Sequence, residues 1–103
     1  MSLIEEIRAK AARWGFDTSG HAAHRALLRH VSISDIHEAI ASGEIIEDYP
    51  DDKYGPSCLI SGTIEAGRRL HVVCTHPSRA VLKIITVYEP DPEEWINARY
   101  RRG

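Results

Sequence analysis

The sequence predicts an α+β domain: a small, mostly antiparallel sheet of about four strands, with N-terminal helices and one C-terminal helix. Three observations carry this. Apolar residues recur at three- and four-residue intervals as far as residue 42, which is the spacing of a helix face. Beyond Gly43 the period changes to β-like runs rich in Val, Ile and Thr. The connectors between those runs are hairpin-length, so neighbours run antiparallel; a parallel return needs a crossover of a dozen residues or more. At 103 residues the chain reads as a single domain, residues 1–103. It is long enough to bury about two-thirds of its extended surface.

Leu3, Ile4, Ile7, Ala11 and Trp14 form the apolar stripe of a first helix, and Gly15 is placed to stop it. Residues 1–20 are read as an N-terminal helical extension. Asp17, Thr18 and Ser19 are cap-competent ahead of H-A-A-H-R-A-L-L-R-H, residues 21–30, which reads as a second helix. Ser32 and Asp35 make a capping box for a third, whose face is Ile33, Ile36, Ala39 and Ile40 and whose end is Gly43. E-I-I-E-D-Y is a strand ending at Pro50, and D-D-K-Y-G-P is a loop. Residues 57–64, 68–75 and 80–88 are strands separated by E-A-G-R and H-P-S-R. The last run is apolar on both faces, which suits a strand covered on both sides. Asp91, Pro92 and Glu94 supply an N-cap, a first-turn proline and a first-turn acid, predicting a helix over residues 92–101 anchored by Trp95.

The formal charge is −2, from 13 basic and 15 acidic side chains. That balance excludes DNA binding by bulk electrostatics. The charges are unevenly placed: Glu44, Glu47, Asp48, Asp51 and Asp52 crowd residues 44–52, whereas residues 21–30 lean positive. Cys58 and Cys74 make neither a disulfide framework nor a C-x-x-C motif. The start does not resemble a signal peptide, and no run approaches the roughly 20 apolar residues of a membrane span. A cytoplasmic protein without a membrane partner is expected.

On a helix, His21, Arg25 and Arg29 fall on one ridge, with His24 beside it. Paired guanidinium groups grip phosphate oxygens, and a histidine near neutral pH moves a proton. The plain alternative is a solvated helix face paired by an acid such as Asp48. In R-R-L-H, strand alternation places Arg69, His71, Val73 and Thr75 on one face and Leu70, Val72 and Cys74 on the other. Thr86 and Tyr88 share a face of the last strand, so a His and a Tyr hydroxyl meet if those faces coincide. The plain alternative is an exposed strand start with a half-buried histidine. No spacing matches a structural zinc site. His21, His24 and His37 are the remaining metal candidates, and no metal is predicted. No P-loop, dinucleotide or G-x-S-x-G pattern is present, so no cofactor is predicted.

These residues also carry a resemblance. His21-x₃-Arg25-x₃-Arg29 followed by V-S-I-S-D-I, then G-E-I-I-E-D-Y-P, S-C-L-I-S-G, R-R-L-H-V-V and I-T-V-Y-E-P with Trp95 beyond, cover residues 21–95. In order and spacing they resemble an uncharacterised bacterial family of domains of unknown function, placed near the BrnT and RelE-like toxin ribonucleases. The resemblance implies a compact sheet with helices beside it, and RNA-cleaving ancestry. It departs at one position, for the family often has glycine where this chain has His30.

Two functions are expected. The first is a metal-independent, toxin-like endoribonuclease. In it His21 or His71 takes the ribose 2′-hydroxyl proton, Arg25, Arg29 and Arg69 stabilise phosphate charge, and Tyr88 orients a base. The alternative is a non-catalytic protein-binding module of a toxin–antitoxin or phage-associated system, using residues 44–52 or an edge strand. RNA and an antitoxin-like protein are the corresponding partners.

Overall fold

In a computed structural model of the chain, which describes residues 2–53, 55–78 and 81–102, three α-helices from the first 42 residues pack on a five-stranded sheet. Helix α1 (Leu3–Trp14) starts at Ser2, whose hydroxyl accepts the Glu5 N–H, and stops at Gly15 in a left-handed conformation, φ 72°. Helix α2 (Gly20–Leu28) is capped by Ser19. Helix α3 (Ile33–Ser42) has the predicted capping box, with Ser32 and Asp35 each bonding the other's backbone N–H. Their buried stripes (Ile7 and Ala11; Ala22 and Ala26; Ile36, Ala39 and Ile40) join Ile60, Leu70, Val72, Ile84 and Val87 in one core. All three helices therefore lie on one face of the sheet.

The sheet comprises β1 (Phe16–Thr18), β2 (Glu44–Tyr49), β3 (Ser57–Thr63), β4 (Arg69–Thr75) and β5 (Leu82–Tyr88), in the order β1-β5-β4-β3-β2. Strands β2 to β5 pair antiparallel, as the short connectors predict. A fifth strand corrects the expected four: β1 pairs parallel with β5. Three residues are too few to show a period, and only their capping chemistry is visible in the sequence. Two bulges explain doublets that blur the alternation. One separates Ile45 from Glu47 and the other sets Val73–Cys74 against Thr86 and Ile84, so Ile46 and Ile85 are the extra residues. The predicted start of the last strand at Ala80, and Tyr54 and Arg79 in the predicted turns, lie outside the described residues.

Gly43 and Gly62 let α3 approach β3. A Cβ on Gly62 would meet the Ala39 carbonyl oxygen at 2.1 Å, and one on Gly43 would meet it at 2.5 Å.

The helix expected over residues 92–101 is absent. The chain makes one turn, then strands β6 (Trp95–Ile96) and β7 (Tyr100–Arg101) pair as a separate hairpin. The local start signal operates for that turn: Asp91 accepts from the N–H groups of Glu93, Glu94 and Trp95. Asn97 and Ala98 then take φ values of 53° and 57°, the Arg99 N–H returns to the Ile96 carbonyl, and the chain reverses. Positive φ at both central residues is the signature of a type I′ hairpin turn. A ten-residue helix is marginal by itself. The hairpin instead seats Trp95 at 3% exposure on the sheet.

Candidate functional site

Strand alternation assigns the sheet's other face. It carries Glu44, Glu47 and Tyr49 from β2, Leu59 and Ser61 from β3, Arg69 and His71 from β4, and Thr86 and Tyr88 from β5. This face is polar, and the β6–β7 hairpin lies over it.

His71 is fully buried at its centre. It stands directly opposite both Ser61 on β3 and Tyr88 on β5. Its Nε2 is 2.6 Å from the Ala98 carbonyl oxygen and its Nδ1 is 3.1 Å from the Tyr88 hydroxyl. A carbonyl only accepts, so Nε2 carries the proton and Nδ1 accepts from Tyr88. This is a neutral imidazole in one fixed tautomer. Burial holds the His71 pKa below its usual value and pushes that of Tyr88 up. The Trp95 ring meets His71 edge-on, with centroids 4.5 Å apart.

Two further donors converge on the same turn. Ser61 Oγ donates to the Ala98 carbonyl at 2.8 Å, so that oxygen accepts from both Ser61 and His71. An Arg69 Nη donates to the Asn97 carbonyl at 3.0 Å. At the acidic edge, Arg99 pairs with Glu44 at 2.7 Å and Arg101 with Glu47 at 2.5 Å. Glu47 also accepts from the Tyr49 hydroxyl. The Arg101 bond holds the Glu47 carboxyl below the usual range. Burial and the neighbouring Glu47 raise Tyr49 to about 12. Arg101 lies over the Trp95 ring, 4.6 Å from its centroid.

Of the residues singled out in the sequence, this recess brings together His71, Tyr88 and Arg69. His21, Arg25 and Arg29 belong elsewhere. His21 and Arg25 are exposed on α2, whose opposite stripe packs on the helix-covered face of the sheet. Arg29 is half-buried and donates to the Val87 carbonyl at 3.3 Å. With Ser19, which bonds the Ile84 and Ile85 carbonyls, it satisfies the part of β5 that short β1 leaves open. Asp48 pairs with His76, not with α2. His24 is exposed, and His37 packs on Phe16. Among the described residues no group of three or more His, Cys, Asp or Glu could hold a metal ion. Cys58 and Cys74 are buried opposite each other with their sulfurs 4.0 Å apart, and that contact together with burial raises the Cys58 thiol pKa.

Sequence reasoning missed Ser61, Arg99 and Arg101 as site residues. Alternation already puts Ser61 on the His71 face, so its signal was present. The two arginines were hidden by the helix reading of residues 92–101.

Fold and recess together define a small α+β domain with helices on one sheet face and a hydrogen-bonding recess on the other. Residues 18–89 match the family described as a domain of unknown function (DUF4258), and the chain belongs to that family. No curated protein and no solved structure matches it. The matched segment contains Glu44, Glu47, Ser61, Arg69, His71 and Tyr88. The hairpin covering them lies beyond its end.

Proposed function

We propose that this protein is a non-catalytic protein-binding module, of the toxin–antitoxin or phage-associated kind, that grips polypeptide in the recess of the open sheet face. One observation carries the reading: two consecutive main-chain carbonyls and two arginines from outside the family-matched segment are held by Ser61, His71, Arg69, Glu44 and Glu47. Carbonyls are present in every peptide, and the two glutamates select for basic side chains. The same charges disfavour RNA here. Without the hairpin, the recess has two carboxylates beside the single guanidinium of Arg69, and a phosphate backbone needs a local basic excess.

A metal-independent, RelE/BrnT-like endoribonuclease is the second reading. The meeting of His71, Tyr88 and Arg69 favours it, since it supplies a base, a hydroxyl and a guanidinium. It requires the hairpin to move, because both His71 ring nitrogens are engaged.

The test uses full-length protein as bait in lysate of the native host, with the variant E44R/E47R as control. A partner that cross-links to the recess of the wild type and is lost with the variant is the expected result. Equal capture by both, or no cross-linked partner, overturns the module. RNA cleavage that survives a chelator and disappears in H71A would install the nuclease reading instead.

A further inference from the structure

The hairpin is joined to the recess in an unusual way. It forms its own two-stranded sheet and shares no ladder with the five-stranded one. It is held by side chains reaching its carbonyls, by one aromatic ring and by two surface ion pairs. Only Trp95 is buried; Ile96, Asn97, Arg99, Tyr100 and Arg101 are exposed. Both pairs are bidentate, but each leaves its arginine in solvent, where salt screens it. Open pockets of about 460 Å³ and 380 Å³ flank the Arg69–Asn97 contact, the first bordered by Trp95 and Pro92 and the second by Glu44 and Ser61. Ala98 takes a left-handed conformation that disfavours residues with a Cβ. The connection from β5 runs through Pro90 and Pro92, neither of which has an N–H to donate to the sheet.

Resting on the protein-binding reading above, we infer that the hairpin is an internal ligand: it occupies in cis the place of a basic, aromatic-bearing partner segment, which must displace it to bind. The occupant defines the partner's chemistry. It has an aromatic ring to stand edge-on to His71. Two residues later a tight turn presents consecutive carbonyls to Arg69 and to Ser61 with His71. Arginines follow four and six positions after the aromatic, for Glu44 and Glu47. When the hairpin leaves, those two carboxylates lose their cations, and an incoming segment with the same spacing restores them.

A tethered competitor acts at a high effective concentration, so the affinity for a free segment falls by the fraction of molecules that are open. The probe is a fluorescent synthetic peptide with the sequence of residues 91–102. The proteins are the full-length wild type and the full-length variant R99E/R101E, in which the hairpin repels Glu44 and Glu47. The folded variant is expected to bind the peptide at least about tenfold more tightly than the wild type, and a peptide carrying Trp95→Ala is expected to bind neither. If R99E/R101E does not fold, amide shifts of Ser61, Arg69 and His71 in ¹⁵N-labelled wild type under excess peptide provide the same reading. No binding to the folded variant, equal binding to both proteins, or no such shifts overturns the inference. So does release of the peptide by RNA, or a wild-type dimer with exchanged hairpins, since each makes something other than a partner segment the occupant. A partner captured through Glu44 and Glu47 in lysate leaves the protein-binding reading intact in all of these cases.

Discussion

His30 ends α2 as the C′ residue of a Schellman motif. Its N–H bonds the Leu27 carbonyl and the Val31 N–H bonds the Ala26 carbonyl, and this closure requires its φ of 55°. Histidine is tolerated there better than branched residues, but glycine adopts that conformation without a Cβ penalty. Arg68 supports the corner by donating to the Arg29 and His30 carbonyls while pairing with Glu89. His30→Gly is expected to stabilise the protein by about 1 kcal/mol, measured as a higher urea midpoint with an unchanged slope. An unchanged or lower midpoint would mean that the imidazole contributes a contact of its own. The position was legible as a departure at a turn. Arg29 was less so: helix spacing puts it beside His21 and Arg25, but its partner is a strand-edge carbonyl 58 positions away, and no local pattern reports that.

Elements show the same division. The capping box of α3, the stop at Gly15 and the antiparallel order of β2 to β5 follow from neighbours in sequence, and each forms as read. The C-terminal segment does not, because its start signal is local while its outcome depends on Trp95 reaching His71. Gly62 is an element-scale feature that periodicity does not reveal. It lies near the end of β3 because α3 passes so close that a Cβ would meet three backbone atoms of Ala39 within 2.7 Å. Backbone cannot yield as a side-chain tip can. Gly62→Ala is expected to cost at least about 2 kcal/mol, read as a lower melting temperature and a lower urea midpoint. A variant as stable as the wild type would show that α3 is free to move outward.

Across the whole molecule, the sheet separates two groups of candidate site residues that the sequence reading joins in one site. His21 and Arg25 of α2 face solvent on the helix side, and His71 is enclosed on the other side. Acid is expected to loosen that enclosure. The docked His71 has its pKa held below 6.5 by burial, so the undocked form takes up a proton first as pH falls, and docking is lost from 6.5 downward. Glu47 is held below 4.5 by Arg101, so its contribution is complete above that pH and is lost below it. Both act in the same direction. In a Trp14→Phe background, Trp95 fluorescence is expected to change between pH 6.5 and 4.5, before the far-ultraviolet signal of the sheet. His71→Gln should remove the first step. A single transition shared by both signals would show that hairpin and sheet open together.

The sequence by itself determined the three helices, the capping box of α3, the antiparallel run of four strands, the shared face of His71 and Arg69 on one strand and that of Thr86 and Tyr88 on another. All of these follow from spacing and from residues within one turn or one hairpin of each other. Only the tertiary structure decided the parallel strand β1, the fate of residues 92–101, the separation of His21 and Arg25 from His71, and the seating of Ala98 on Ser61 and His71. Each of those depends on contacts between residues far apart in the chain, where the energy comes from burial and from hydrogen bonds between elements, and local propensity has no part in choosing the partner.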